Sequence, residues 1–152
     1  MLVLRRIGLL IAAALLASAC ASAGSSPAAT AAPASAAAAA SAAAAVMVGT
    51  ASSANFGTVL TGPTGMTLYT HAGDSATTST CTGGCATAWP PLVTTGQPTA
   101  GTGVTGKLGT LTRSDGSTQV TYNGLPLYYF AGDSGAGTTN GAAIQNWGVA
   151  TP

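Results

Sequence analysis

Gly65-Met66-Thr67-Leu68-Tyr69-Thr70-His71-Ala72-Gly73-Asp74-Ser75 returns as Gly124-Leu125-Pro126-Leu127-Tyr128-Tyr129-Phe130-Ala131-Gly132-Asp133-Ser134, at a constant offset of 59 residues. Seven of the eleven positions are identical, including a tyrosine followed five positions later by an aspartate, which makes coincidence a poor explanation in a chain rich in Ala, Gly and Thr. The folded part is therefore read as a duplicated unit.

The flanks of the two copies carry strand signals. In the second copy, Lys107–Arg113 alternates loosely and Asp115-Gly116 marks a turn. Thr118–Tyr122 alternates Thr, Val and Tyr, Asn123-Gly124 marks a second turn, and Leu125–Phe130 follows. Three antiparallel strands joined by tight hairpins are expected, with Asp-Gly and Asn-Gly supplying the positive φ that a type I′ turn needs. In the first copy Phe56–Leu60, the turn Gly62-Pro63-Thr64-Gly65 and Met66–Thr70 give a comparable hairpin. A loop of Gly, Ser and Thr then leads to a tryptophan, Trp89 in one copy and Trp147 in the other. Each repeat thus reads strand, turn, strand, aspartate-terminated loop, tryptophan. Helix signals are weak, so the expected fold is all-β, two tandem hairpin or meander repeats packed as one small antiparallel domain.

Upstream, Arg5 and Arg6, the apolar run Ile7–Leu16 and Ala17-Ser18-Ala19 before Cys20 have the order of a secretion signal. The apolar run is shorter than the roughly 20 residues a membrane-spanning helix needs, so residues 1–19 are expected to be removed. A cysteine placed directly after small residues resembles the bacterial lipobox, with Ala17 standing where leucine is commonest. Cys20 is then the expected lipidation site, and two acyl chains would anchor it stably. The alternative is an ordinary secretory peptide cut near Cys20. From Ala21 to roughly Ala45 the chain is almost entirely Ala, Ser, Thr, Gly and Pro, with no large apolar residues for a core, and a disordered tether is placed at residues 20–50, although Ala36–Ala45 has helix propensity. The duplicated domain is placed at 51–152, with repeat 1 at about 55–95 and repeat 2 at about 107–152.

Charge is scarce in the domain. Beyond the leader, Lys107 and Arg113 oppose Asp74, Asp115 and Asp133. Nucleic acid is a poor candidate partner, and membrane association would rest on the lipid at Cys20. With Cys20 assigned to lipid, Cys81 and Cys85 remain as a pair, expected to form a disulfide in an oxidising compartment.

The paired Tyr-x-x-x-x-Asp motifs occur together with Cys81-x-x-x-Cys85 running into Ala88-Trp89-Pro90-Pro91-Leu92. They are joined by Thr118–Gly124 running into Pro126-Leu127-Tyr128, and by the terminal Trp147-Gly148-Val149. Together these features resemble the bacterial lipoproteins with a tandem "secreted repeat of unknown function". The resemblance runs from Phe56 to Pro152 and implies an exported, usually lipid-anchored protein with no established activity. The family often has an aromatic two positions after the tyrosine. Phe130 fits this pattern and His71 departs from it.

Each residue capable of chemistry has a plainer reading. Tyr69 and Tyr128 are expected to pack at strand ends with hydroxyls near the rim, while Asp74 and Asp133 accept amides of their own following turns. The functional alternative is a ligand or cation site. His71, the only histidine, is a weak metal candidate because one imidazole falls short of the donors a zinc site uses. Cys81/Cys85 lack the Cys-x-x-Cys spacing of thioredoxin-like dithiols. The tryptophans are read as core, with sugar-stacking platforms as the alternative. There is no glutamate and no Gly-x-Ser-x-Gly elbow, so neither catalytic residues nor a cofactor are expected. The reading is a non-catalytic binding or structural module of the cell envelope, extracytoplasmic and anchored at Cys20, whose partner is an envelope protein or small ligand. The alternative is a redox or metal-handling accessory using Cys81/Cys85 and His71.

Overall fold

Strand structure begins before the expected domain boundary at residue 51. The computed structural model describes residues 45–152, so the signal segment, Cys20 and the tether through residue 44 lie outside the described residues. Within the stretch assigned to the linker, β1 (Met47–Ser53) forms a five-pair antiparallel hairpin with β2 (Gly57–Thr61), from Gly49↔Thr61 to Ser53↔Gly57. The domain therefore starts near residue 46, not 51, and repeat 1 includes β1 and not only residues 55–95. The physical reason is that Met47-Val48-Gly49-Thr50-Ala51-Ser52-Ser53 has the small residues of a tether. Only its partners, with Val48 fully buried between them, make it a strand.

The remaining elements follow in order: β3 (Tyr69–His71), a one-turn helix α1 (Gly84–Ala88), β4 (Thr99–Ala100), β5 (Leu108–Thr112), β6 (Thr118–Tyr122), β7 (Leu125–Pro126), a 3-10 turn (Asn140–Ala143) and β8 (Trp147–Val149). The described residues are thus essentially all-β, in small sheets ordered β2-β1-β4, β3-β8 and β5-β6-β7. The β5–β6–β7 meander matches the expectation from sequence, and its second turn is of the expected kind. Asn123 (φ 50°) and Gly124 (φ 83°) both take positive φ in a two-residue loop between Tyr122 and Leu125. The first turn differs. Ser114-Asp115-Gly116 is a three-residue loop in which Gly116 alone has positive φ (82°). Asp115 contributes through its side chain, accepting the Ser117 amide at 2.9 Å and hydroxyl at 2.5 Å.

The two repeats are interlocked. Leu60 N donates to Ala150 O at 2.8 Å, and the equivalent Val120 N donates to Leu92 O at 2.8 Å. Ala150 N reaches Leu68 O and Leu92 N reaches Leu127 O, both at 2.9 Å. β3 of repeat 1 pairs with β8 of repeat 2 across Tyr69↔Val149 and His71↔Trp147. The Trp89–Thr94 segment of repeat 1 meets repeat 2 through the bridges Pro91↔Tyr128 and Val93↔Gln119. Each repeat's tryptophan segment therefore completes the sheet of the other repeat, an arrangement with the reciprocity of a two-fold dimer interface.

The core has two layers that follow this exchange. Val48, Leu60, Leu68, Leu92, Val120, Tyr122, Leu127 and Ala150 form one cluster, and Tyr69, Cys81, Trp89 and Tyr128 form the other. Among the described residues one buried side-chain polar atom is orphaned, the hydroxyl of the fully buried Thr67. Its counterpart in repeat 2 is Pro126. An unpaired buried hydroxyl costs about 1–3 kcal/mol. Thr67→Val, which keeps the branched shape, is expected to raise the urea midpoint, and a lowered midpoint would show that the hydroxyl is needed.

Candidate functional site: the crossed tyrosine and aspartate pairs

The motif residues meet across the repeats and not within them. Tyr69 and Tyr128 exchange both backbone hydrogen bonds, at 2.8 and 2.9 Å, so they form the central pair of the molecule. Both are fully buried rather than set with hydroxyls at the rim. Tyr69 OH donates to Asp133 Oδ2 and Tyr128 OH donates to Asp74 Oδ2, each at 2.6 Å. The spacing within one copy sends each tyrosine and its own aspartate to opposite partners.

The aspartates also do not lock their own turns. Asp74 Oδ1 accepts the Thr80 amide at 2.8 Å and the Thr80 hydroxyl at 2.7 Å, six residues downstream. Asp133 Oδ1 accepts the Asn140 amide at 2.9 Å, seven residues downstream. Each carboxylate thus joins its own returning loop to the other repeat's tyrosine.

The aromatic rings repeat the symmetry. Trp89 and Trp147 stack at 3.7 Å with planes 4° apart. Tyr69 meets Trp89 edge-on at 5.3 Å and Tyr128 meets Trp147 edge-on at 5.1 Å. Edge-to-face pairs such as these two tyrosine–tryptophan contacts contribute about 0.5–1.5 kcal/mol each beyond area burial. Phe130 lies 4.4 Å from Trp89, and His71 occupies the equivalent place 4.6 Å from Trp147. Trp89 is buried as core, whereas Trp147 is half-buried. Gly141 allows this packing, since a Cβ there would come within 2.7 Å of the Trp89 ring.

The two halves differ in what surrounds the pairs. In the first, Ser79 Oγ lies 2.6 Å from Tyr128 OH, and Arg113 Nη1 donates to Ser79 Oγ and, at 2.7 Å, to Gln119 Oε1. Arg113 Nη2 donates to Cys81 O at 2.6 Å, and Gln119 Nε2 donates to Leu127 O at 2.8 Å. Because the Tyr128 proton goes to Asp74, the Ser79 hydroxyl must donate to Tyr128. The donors then run in one direction from a buried cation to a buried carboxylate. Arg113 and Gln119 were not among the residues singled out from sequence. Arg113 looks like a strand end beside a turn, and only burial of β6 on both faces reveals the role of Gln119.

His71 belongs to the same cluster. Its Nδ1 is 3.1 Å from Thr80 Oγ1 and 3.5 Å from Asp74 Oδ1. Since the Thr80 hydroxyl proton is directed to Asp74, it is His71 Nδ1 that donates to Thr80 Oγ1. His71, Asp74, Leu125, Asn146 and Trp147 line an open cleft of about 400 Å³. No group of three metal-ligating side chains occurs among the described residues. Cys81 and Cys85 form the expected disulfide, with Cys81 buried and Cys85 exposed on α1. Closing so short a loop is worth about 2 kcal/mol in the chain-entropy model. Cys81→Ser/Cys85→Ser is expected to lower stability by no more than that in chemical denaturation, with the fold retained.

Burial, and then the hydrogen bond to Asp133, raises the Tyr69 hydroxyl above its ordinary value of 10.0, and burial followed by Asp74 does the same for Tyr128. The unfolded chain ionises these groups near pH 10 while the folded chain keeps them neutral. Their contribution is therefore complete below that pH and lost as pH rises toward the raised folded values. Denaturation midpoints are expected to fall above about pH 10, with Tyr69 and Tyr128 phenolate absorbance appearing together with unfolding. Midpoints that stay flat would contradict the buried pairing.

No curated protein and no solved structure matches the chain. A family model described as "secreted repeat of unknown function" matches residues 50–93 and 109–151. Each match opens inside the first strand of a structural repeat, β1 or β5, and closes at the end of its tryptophan segment. Two interlocked copies of that unit make up the domain, and the chain belongs to the family of secreted repeats of unknown function.

Proposed function

We propose that the protein is a non-catalytic module of the cell envelope, anchored through lipid on Cys20 and held away from the membrane by its Ala/Ser-rich tether, where it binds or supports another envelope component. The family is one of secreted proteins. The observation that carries the non-catalytic reading is the crossed pairing. The residues with most capacity for acid and base chemistry, Tyr69, Asp74, Tyr128 and Asp133, are occupied with one another. A duplicated motif spent on internal contacts in both copies supports a framework role. The lack of glutamate and the small number of other charges leave little with which to build a separate acid and base pair.

The test has two parts. Intact-mass analysis of the protein isolated from envelopes should find an N-terminal Cys20 carrying two or three acyl chains. An unmodified N-terminus at another residue would overturn the anchoring. Pull-down from crosslinked envelopes should then recover a component that Asp74→Asn and Asp133→Asn release only in proportion to lost stability. Loss of that component at unchanged melting temperature would make the pairs a binding site.

The redox alternative draws on the exposure of Cys85. It predicts that thiol titration of freshly isolated protein finds a reduced fraction. A pair that is always oxidised, and whose replacement by serine lowers only stability, would remove it.

A further inference from the structure

β5 is the outermost strand of its sheet. Arg113 N to Ser117 O and Asn123 N to Lys107 O set the phase of the ladder, so the odd-numbered residues face β6. Leu108, Thr110 and Thr112 turn their amides and carbonyls outward. Among the described residues no backbone group bonds to them from that side. In repeat 1 the same edge is covered, because β4 runs parallel to β1 with Thr99 N to Val46 O at 2.9 Å and Gly101 N to Val48 O at 2.7 Å. Leu108 is the counterpart of Val48. An edge that holds an extra strand in one half of the molecule is open in the other.

We infer that the β5 edge pairs with the β5 edge of a second copy of this chain, antiparallel about a two-fold axis. Charge selects this partner and this direction. Of the five charged side chains in the domain, Arg113 is buried, and Asp74 and Asp133 are held by the tyrosines. Lys107 and Asp115 are exposed and flank β5 at its two ends, Asp115 remaining accessible although its Oδ2 also lies 3.3 Å from Arg113 Nε. Antiparallel pairing brings Lys107 of each copy to the Asp115 turn of the other, twice over. Parallel pairing would set lysine beside lysine. Between them, Leu-Gly-Thr-Leu-Thr contains neither the proline nor the charge that commonly blunts an open edge, and cross-strand threonines pair well. A ladder this short makes a small interface, so the pair is weak in dilute solution and favoured where copies are crowded on one surface.

Native mass spectrometry of the full-length chain in mild detergent tests the inference. The wild type should show a concentration-dependent dimer. Lys107→Glu and Asp115→Lys should each weaken association by about tenfold or more through like-charge contacts. An equimolar mixture of the two should restore it, because each heterodimer contact is then oppositely charged. Thr110→Pro removes an outward amide at a position where an edge strand tolerates proline, and should abolish the dimer. Near-ultraviolet circular dichroism of the stacked tryptophans reports whether each variant is folded. If Asp115→Lys unfolds, Thr110→Pro decides alone. A wild type that stays monomeric at about millimolar concentration, a folded pair of charge variants that does not associate on mixing, or a Thr110→Pro chain that dimerises like wild type would overturn the inference.

Discussion

Neither half of the domain is expected to fold alone. A fragment covering residues 45–94 retains the β1–β2 hairpin and β3 but lacks β8, so Tyr69, Thr70 and His71 lose their strand partners. Leu60 and Leu68 lose their bonds to Ala150, and the Asp74 carboxylate loses Tyr128. The complementary fragment, 95–152, loses the tryptophan segment that bonds Val120 and Leu127, along with Asp74 beneath Tyr128. Each fragment would expose half of the Trp89–Trp147 stack. A domain of this size is stable by only about 5–15 kcal/mol, so losing these cross-repeat bonds and the shared aromatic stack is enough to unfold either half. Separately, the fragments should show no cooperative thermal transition. Mixed, they should regain the near-ultraviolet dichroism of the stacked tryptophans with a concentration-dependent midpoint. A cooperative transition in either fragment as a monomer would refute the interlocked description.

The second large effect is expected at Asp74. Its side chain is inaccessible to solvent and accepts hydrogen bonds from Tyr128, Thr80 N and Thr80 Oγ1. Asp74→Ala leaves the Tyr128 hydroxyl buried with only Ser79 beside it and frees the loop that returns through Thr80. Arg113 keeps its direct carboxylate partner, Asp115 Oδ2 at 3.3 Å from Nε, so the loss falls on the Tyr128 hydroxyl and the Thr80 loop. Leaving a buried donor without its acceptor costs about 1–3 kcal/mol, and with three donors affected we expect a loss at the upper end of that range in chemical denaturation. A double-mutant cycle identifies the partner. Asp74→Ala and Tyr128→Phe should couple by more than about 0.5 kcal/mol, whereas Asp133→Ala and Tyr128→Phe should be nearly additive. The opposite pattern would return the motif to pairing within each copy.

These expectations separate what could be read along the chain from what could not. The duplication, the β5–β6–β7 meander and the Asn123-Gly124 turn are local, since they depend on identity at an offset, period-two alternation and the φ preference of two residues. The disulfide was legible because, with Cys20 assigned to lipid, only Cys81 and Cys85 remain to pair. β1 was not, because a strand of small residues is recognisable only by its partner. Nor was Arg113, whose charge suggested the surface and whose burial depends on Ser79, Gln119 and Cys81 O converging on it from three segments.

Residue order is enough to establish that the domain is built twice from one unit and that each unit carries a tyrosine, an aspartate and a tryptophan in a strand-rich setting. The tertiary structure alone decided which tyrosine meets which aspartate. A motif of fixed spacing states the distance along the chain between its members, and nothing in that distance says whether the bond closes on its own copy or on the other. The exchanged tryptophan segments make that choice. By pairing each repeat's last strand with the other repeat's tyrosine strand, they set Tyr69 against Asp133 and Tyr128 against Asp74 and turn two weak halves into one core.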